Sequence, residues 1–207
     1  MRKGGRLPAA LLLAVTVLLV VSGWRPADRF TWVLEVFPVL IGVPILVATY
    51  RRFPLTPLAY VLVALHAAIL ITGGHYTYAK VPLFDALRGP FHFRRNHFDR
   101  LGHFAQGFVP AVLSREILIR KTPLRSRGWL AFLSLTVCLA ISASYELLEW
   151  GVAEATGSAA DAFLGTQGDP WDTQWDMFFA GIGAAASLLL LSRLHERQLR
   201  RLPTRTS

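Results

Sequence analysis

The chain cannot fold as an ordinary soluble domain, because its apolar residues come in blocks that show no polar face. Residues 7–24 read LPAALLLAVTVLLVVSGW, and residues 30–49 read FTWVLEVFPVLIGVPILVAT. A soluble element alternates apolar and polar residues at a period of 3.6 or 2. A helix of about 20 predominantly apolar residues instead spans the hydrocarbon core of a bilayer. Further blocks lie at 55–73, 100–119, 128–150 and 175–194. Lipid offers no partner to an exposed backbone N–H or C=O, so each block is expected to be helical. The expectation is an all-α integral membrane protein, one polytopic domain over residues 1–207. It is a bundle of about six transmembrane helices with two long extracytoplasmic loops, 74–99 and 151–174. A hydrophobic content of 53% against 17% charged residues agrees with this. Cys138, the single cysteine, lies inside an apolar run, so there is no disulfide framework.

The net charge of +9 could indicate nucleic acid, but the position of the basic residues points to the bilayer instead. Arg2, Lys3 and Arg6 precede the first block, and Arg51 and Arg52 separate the second from the third. Arg120, Lys121, Arg125 and Arg127 separate the fourth from the fifth. Arg193, Arg197, Arg200, Arg201 and Arg205 crowd the C-terminal end, with 195–207 as a basic tail. With six spans all four groups fall on one side, which the positive-inside rule makes the cytoplasm. Both termini are then cytoplasmic. The N-terminus could instead be a signal peptide, although VVSGW makes a poor cleavage site, and the other five spans keep their orientation either way.

The two outer loops have opposite character. Residues 74–99 and the start of the fourth span carry Lys80, Arg88, Arg94, Arg95 and Arg100 with His75, His92 and His97. The 151–174 loop and the start of the sixth span carry Glu154, Asp161, Asp169, Asp172 and Asp176 with no basic residue. Long loops in a compact fold are functional or disordered, and the Gly, Pro and aromatic content here argues for order. The plain explanation is that one loop pairs with the other. It does not cover the polar residues that continue into the helices.

On helical spacing Asn96, Asp99, Arg100, His103 and Gln106 share one face. Ser142, Glu146 and Glu149 form a second stripe, and Asp169, Asp172 and Asp176 a third. The third stripe continues as the small residues Ala180, Gly183 and Ser187, suited to close helix packing. An ionised side chain at the centre of a span costs about 2.5–3.5 kcal/mol on insertion scales. The fourth, fifth and sixth spans should therefore converge at their outer ends around a cavity. The candidate catalytic residues are Asp99, Arg100, His103, Glu146, Glu149, Asp172 and Asp176. Candidate substrate-binding residues are Arg94, Arg95, Asn96, His97, Gln106, Gln167, Asp169 and Gln174. Packed carboxylates need compensation from Arg100, from histidine or from a divalent cation. Candidate ligands for such a cofactor are His103, Glu146, Asp172 and Asp176.

The strings HYTYAKVPL, RNHFDRLGHFAQGFVP, YELLEW and FLGTQGDPWDTQWDMFFAGIGA resemble the YjdF family of uncharacterised bacterial inner-membrane proteins, over about residues 75–194. More distantly, Asp99-Arg100-x-x-His103-Phe104, the glutamates of the fifth span and Asp172-x-x-x-Asp176 before Gly181 and Gly183 are similar to VanZ-like proteins. Arg100 stands there where that family has Lys, and Ala180 where it usually has Asn. The resemblance implies an envelope location and a residue set, and no reaction.

Three functions compete. One is an enzyme acting on an amphiphilic or lipid-linked envelope substrate, with His103 or Glu146 as general base and Arg95 and Arg100 holding an anionic group. Another is a transporter or proton-coupled permease using Glu35 and His66 in a relay. The last is a non-catalytic envelope scaffold whose stripes fix helix register. Several residues read as plain. His66 is a hydrogen-bonded packing residue, Glu35 reaches the interface, and His195 is solvated. Arg115 and Glu116 mark the inner end of the fourth span. Trp24, Trp129, Trp150, Trp171 and Trp175, with Tyr76 and Tyr78, are interfacial anchors.

Overall fold

A computed structural model of the chain describes residues 5–202, so Arg2, Lys3 and Arg205 lie outside the described residues. The described residues are helical and contain no strand. The helices are α1 (Arg6–Ser22), α2 (Arg29–Thr49), α3 (Pro57–Tyr76), α4 (Pro82–Phe91), α5 (Phe98–Lys121), α6 (Arg127–Thr156), α7 (Asp161–Leu164) and α8 (Asp172–Leu199). Local chemistry sets several boundaries. Asp28 caps α2 by accepting from the Thr31 N–H at 2.7 Å. Thr56 caps α3 ahead of Pro57, whose missing N–H costs nothing in the first turn. The left-handed Thr77 ends α3. Pro38 and Pro44 leave α2 unbroken.

Four helices, α2, α3, α6 and α8, are long and apolar enough to cross a membrane, and α1 is a shorter apolar helix of 17 residues. The 24-residue α5 does not belong to that set, and its place in the bundle explains why. It packs against α3, α6 and α8 together, so its polar face meets protein on every side. The surface inverts the soluble pattern. Leu13, Val20, Val21, Leu147, Leu189 and Leu190 face outward, while Asp99, Arg100, His103, Glu116 and Asp176 are buried. The five tryptophans read as interfacial anchors are all exposed, but Tyr78 is buried against Phe98 and is not an anchor.

The bundle has two distinguishable ends. At the Asp99 end the His75 Nδ1–H donates to the Ser22 carbonyl at 2.7 Å, joining the ends of α3 and α1. At the Glu116 end the start of α3 meets the end of α5. α5 and α8 therefore run parallel, and α6 runs against both. Their contact is the tightest in the fold. A Cβ at Gly107 would collide with the backbone of Ala180, and one at Gly183 with the Phe104 carbonyl. The small-residue face of α8 (Ala180, Gly183, Ala184, Ser187) is buried there, and Cys138 of α6 points its thiol at the Gly107 carbonyl. Close backbone approach of this kind is what small residues permit between helices in lipid.

α8 also carries a residue that the sequence misleads on. The helix continues to Leu199, so His195 stays on the face that runs through Ser187 and Leu191. His195 is fully buried and not solvated. Its Nδ1 accepts from Arg115 at 3.0 Å, and its Nε2–H donates to Glu116 at 3.0 Å. Glu116 also accepts from the Thr56 N–H and hydroxyl and from Arg120 at 2.6 Å. Arg115 and Glu116 are thus more than markers of a helix end. They tie α3, α5 and α8 together.

Candidate functional site

The Asp99 end is built in two layers. The upper layer is an ionic latch between the segment before α5 and the segment leading into α8. Arg95 donates to Asp172 at 2.5 Å and to Asp99 at 3.1 Å, and lies 3.5 Å from Asp169. It also reaches the carbonyls of Thr166 and Gly165. Arg100 donates to Asp172 at 2.6 Å, to Asp169 at 3.2 Å, and to Asp176. Beside the latch, the Asn96 N–H donates to the Gln167 side-chain oxygen at 2.9 Å, and the Gln167 amide returns a bond to the Asn96 carbonyl at 3.0 Å. Asn96 further donates to the Val81 carbonyl and accepts from the Phe98 N–H, which starts α5. Pairing of the basic loop with the acidic loop therefore accounts for Arg95, Asn96, Arg100, Gln167, Asp169 and Asp172. Both arginines are paired with carboxylates, and of Arg95 only the buried Nε has no hydrogen-bond partner among the described residues.

The deeper layer centres on His103. Its Nδ1 meets the Gln106 side-chain oxygen at 3.0 Å, while its Nε2 faces Asp99 Oδ1 at 3.4 Å and Asp176 Oδ1 at 3.7 Å. Glu146 Oε1 lies 3.8 Å from Nδ1, buried and without a hydrogen-bond partner among the described residues. Arg94 and Gln174 are exposed. His97 packs edge-on against Phe93 at 4.7 Å. Burial, with Arg95 and Arg100 close by, holds its pKa below the usual imidazole value.

Next to His103 lies a cavity of about 110 Å³. Asp99, His103, Gln106, Glu149, Glu35 and His66 supply its polar lining, and Pro38, Leu70, Pro110, Ile141 and Phe163 its apolar wall. Two of these residues correct the plain readings. Glu35 does not reach an interface. It is buried and accepts from the Tyr145 hydroxyl at 3.4 Å, across from α2 to α6. His66 is not a satisfied packing residue, because its buried Nε2 has no hydrogen-bond partner among the described residues. Tyr145 escaped notice altogether. Its signal was faint, one hydroxyl beside Glu146 on a helix otherwise read through its carboxylates. Glu35 and His66 carried the stronger signal of ionisable residues within apolar spans.

A multi-pass helical membrane protein with a buried polar cluster at one end is the class that this fold and cluster define. The family described as "Predicted membrane protein (DUF2238)" matches residues 7–197, and the chain belongs to it. The chain is 54% identical over 189 residues to the "Inner membrane protein YjdF" of Escherichia coli (strain K12), covering 91% of this chain and 90% of that relative. It is accordingly a multi-pass inner-membrane protein. No solved structure matches it. The likeness to VanZ-like proteins rests on the short segments alone.

Proposed function

We infer that the His103 layer and its cavity are the working site of an enzyme acting on the polar head of an amphiphilic or lipid-linked envelope substrate. The observation that carries this reading is the mixed lining of the cavity. Asp99, His103, Gln106, Glu149, Glu35 and His66 share it with the apolar Pro38, Leu70, Pro110, Ile141 and Phe163. A site of that composition takes a molecule with a polar head and a hydrocarbon part. The latch above it holds α5 and α8 in register, and the deeper groups are left for chemistry. Among the described residues no cation pairs with Glu149, so it is the carboxylate placed to take a proton from a head group. Engagement of Arg95 and Arg100 by aspartates moves the anion-holding role away from them. Arg94, exposed beside the latch, is the guanidinium left for that role.

The site faces the outer leaflet, and both termini are cytoplasmic. The spans are those of α1, α2, α3, α5, α6 and α8. Support comes from the basic residues at the Glu116 end. A reporter fused after Thr166 is expected to be active only outside, and one fused after Arg125 only inside. Reversal of either would remove the outer-leaflet reading. The activity itself is tested by mass spectrometry of envelope lipids from cells lacking the protein. Wild type should restore the lipid profile, and Glu149→Gln and His103→Ala should not, at equal protein level. Restoration by both variants would refute the enzyme.

Proton-coupled transport is a second reading, favoured by one observation. Glu35 and His66, on α2 and α3, open onto the same cavity as His103 and Glu149. Uptake of a labelled amphiphile without formation of a new product would select it over the enzyme.

A further inference from the structure

We propose that Asp99, His103 and Asp176 bind a divalent cation of the zinc or manganese class, with Glu146 as a buried carboxylate beside them. The proposal deepens the reading of this site. It rests on that reading for what the ion does there, and not for whether the ion binds.

The geometry of His103 is the starting point. Its Nδ1–H donates to the Gln106 side-chain oxygen at 3.0 Å, which leaves Nε2 to face Asp99 and Asp176. An imidazole nitrogen set between two carboxylates either donates a proton to them or shares a cation with them. The gaps of 3.4 and 3.7 Å exceed the about 2.7–2.9 Å of a charge-assisted N–H···O bond. They match the separation of donor atoms that share one metal ion. Donors about 2.0–2.2 Å from a tetrahedral ion lie about 3.3–3.6 Å from each other. One donor atom from each of Asp99, His103 and Asp176 lies within 4.8 Å of the others, and all three residues are buried.

Two independent observations point the same way. Glu146 is more than nine-tenths buried, and its Oε1 has no hydrogen-bond partner among the described residues although it lies 3.8 Å from the His103 ring. Charge is the other. Four carboxylates buried at this cluster, Asp99, Glu146, Asp172 and Asp176, face the two guanidinium groups of Arg95 and Arg100 and the His103 ring. The carboxylates outnumber the guanidinium groups by two, more than one imidazole can offset, and buried charge persists only when compensated. A divalent ion supplies the missing charge at the place where the donors converge.

The set differs from the one expected from sequence. Asp172 is held between Arg95 and Arg100, Asp99 stands in its place, and Glu146 lies by the other ring nitrogen of His103. Gln106 then has the role of the residue that orients a metal-bound imidazole through its other nitrogen. Nitrogen and oxygen donors without sulfur suit zinc or manganese. The ion would serve the head-group chemistry by polarising an oxygen or activating water.

The full-length protein is purified in detergent, stripped with EDTA, and titrated with zinc chloride or manganese chloride alone. Bound metal is measured after gel filtration. Wild type is expected to retain one ion per chain and to gain thermal stability on loading. His103→Ala and Asp99→Asn should lose the retained ion, Gln106→Ala should weaken binding about 10- to 100-fold, and Glu154→Gln, a change at an exposed position, should bind as wild type does. X-ray absorption of zinc-loaded wild type should show one imidazole among oxygen donors, a readout that needs no variant to fold. Wild type retaining no more metal than His103→Ala, or a spectrum with several imidazoles or with sulfur, would overturn the proposal. Absence of metal together with loss of lipid restoration in His103→Ala removes the ion and leaves the enzyme. Bound metal with restoration intact in that variant does the reverse.

Discussion

Replacing Arg100 with glutamine would separate the latch from the layer below it. Arg100 contacts Asp169, Asp172 and Asp176, and its own side chain is 8% exposed, with 7% and 5% for the last two partners. Arg95 still reaches Asp172 in the variant, but Asp176 loses its guanidinium partner. Removing one member of a buried ion pair costs about 3–5 kcal/mol, because the remaining charge stays buried. A chain of this size shifts its melting temperature by about 2–4 °C per kcal/mol. Arg100→Gln should therefore melt at least about 6 °C below wild type in detergent, followed by intrinsic fluorescence. Adding Asp176→Asn removes the orphaned charge and should recover part of the loss, with a coupling of about 0.5–3 kcal/mol. An Arg100→Gln protein as stable as wild type would refute the argument that the latch holds α5 against α8. So would a double variant whose loss is the plain sum of the two single losses.

Three further outcomes test other parts of the fold. Gly107→Val or Gly183→Val places a side chain where backbone already lies, so each should lose at least about 1–3 kcal/mol, and fall in membrane protein level on a blot. His195→Ala strips a partner from buried Glu116 and Arg115 and should cost about 1–3 kcal/mol, read as a lower melting temperature with lipid restoration intact. Asp28→Ala removes the α2 cap for about 1 kcal/mol. The Thr31 N–H holds the Asp28 carboxyl below its ordinary pKa, so the cap contributes above about pH 4 and its contribution fades as pH falls further. The difference between wild type and Asp28→Ala should shrink in acid, and a gap that widens would contradict this account.

The membrane-spanning helices and the polar stripes were legible in the sequence because both follow from spacing along one chain. A block of apolar residues can satisfy its backbone in lipid only as a helix, whatever its neighbours are. Asp99, Arg100, His103 and Gln106 share a face for the same reason, one turn being set by local geometry. What those faces meet is a different kind of fact. Glu116 and His195 are 79 residues apart, and Glu35 and Tyr145 are 110 apart. No period relates them, so His195 read as solvated and Glu35 as interfacial until α8 and α2 were set against their neighbours. The same holds for the arginines. Sequence placed Arg95 and Arg100 beside the acidic loop, but only packing could show them paired with aspartates, with His103 left facing Asp99 and Asp176. The most polar long helix, α5, occupies the centre of the bundle because three apolar neighbours cover it. Hydropathy along one segment records what that segment would prefer alone, and burial is decided by what packs against it.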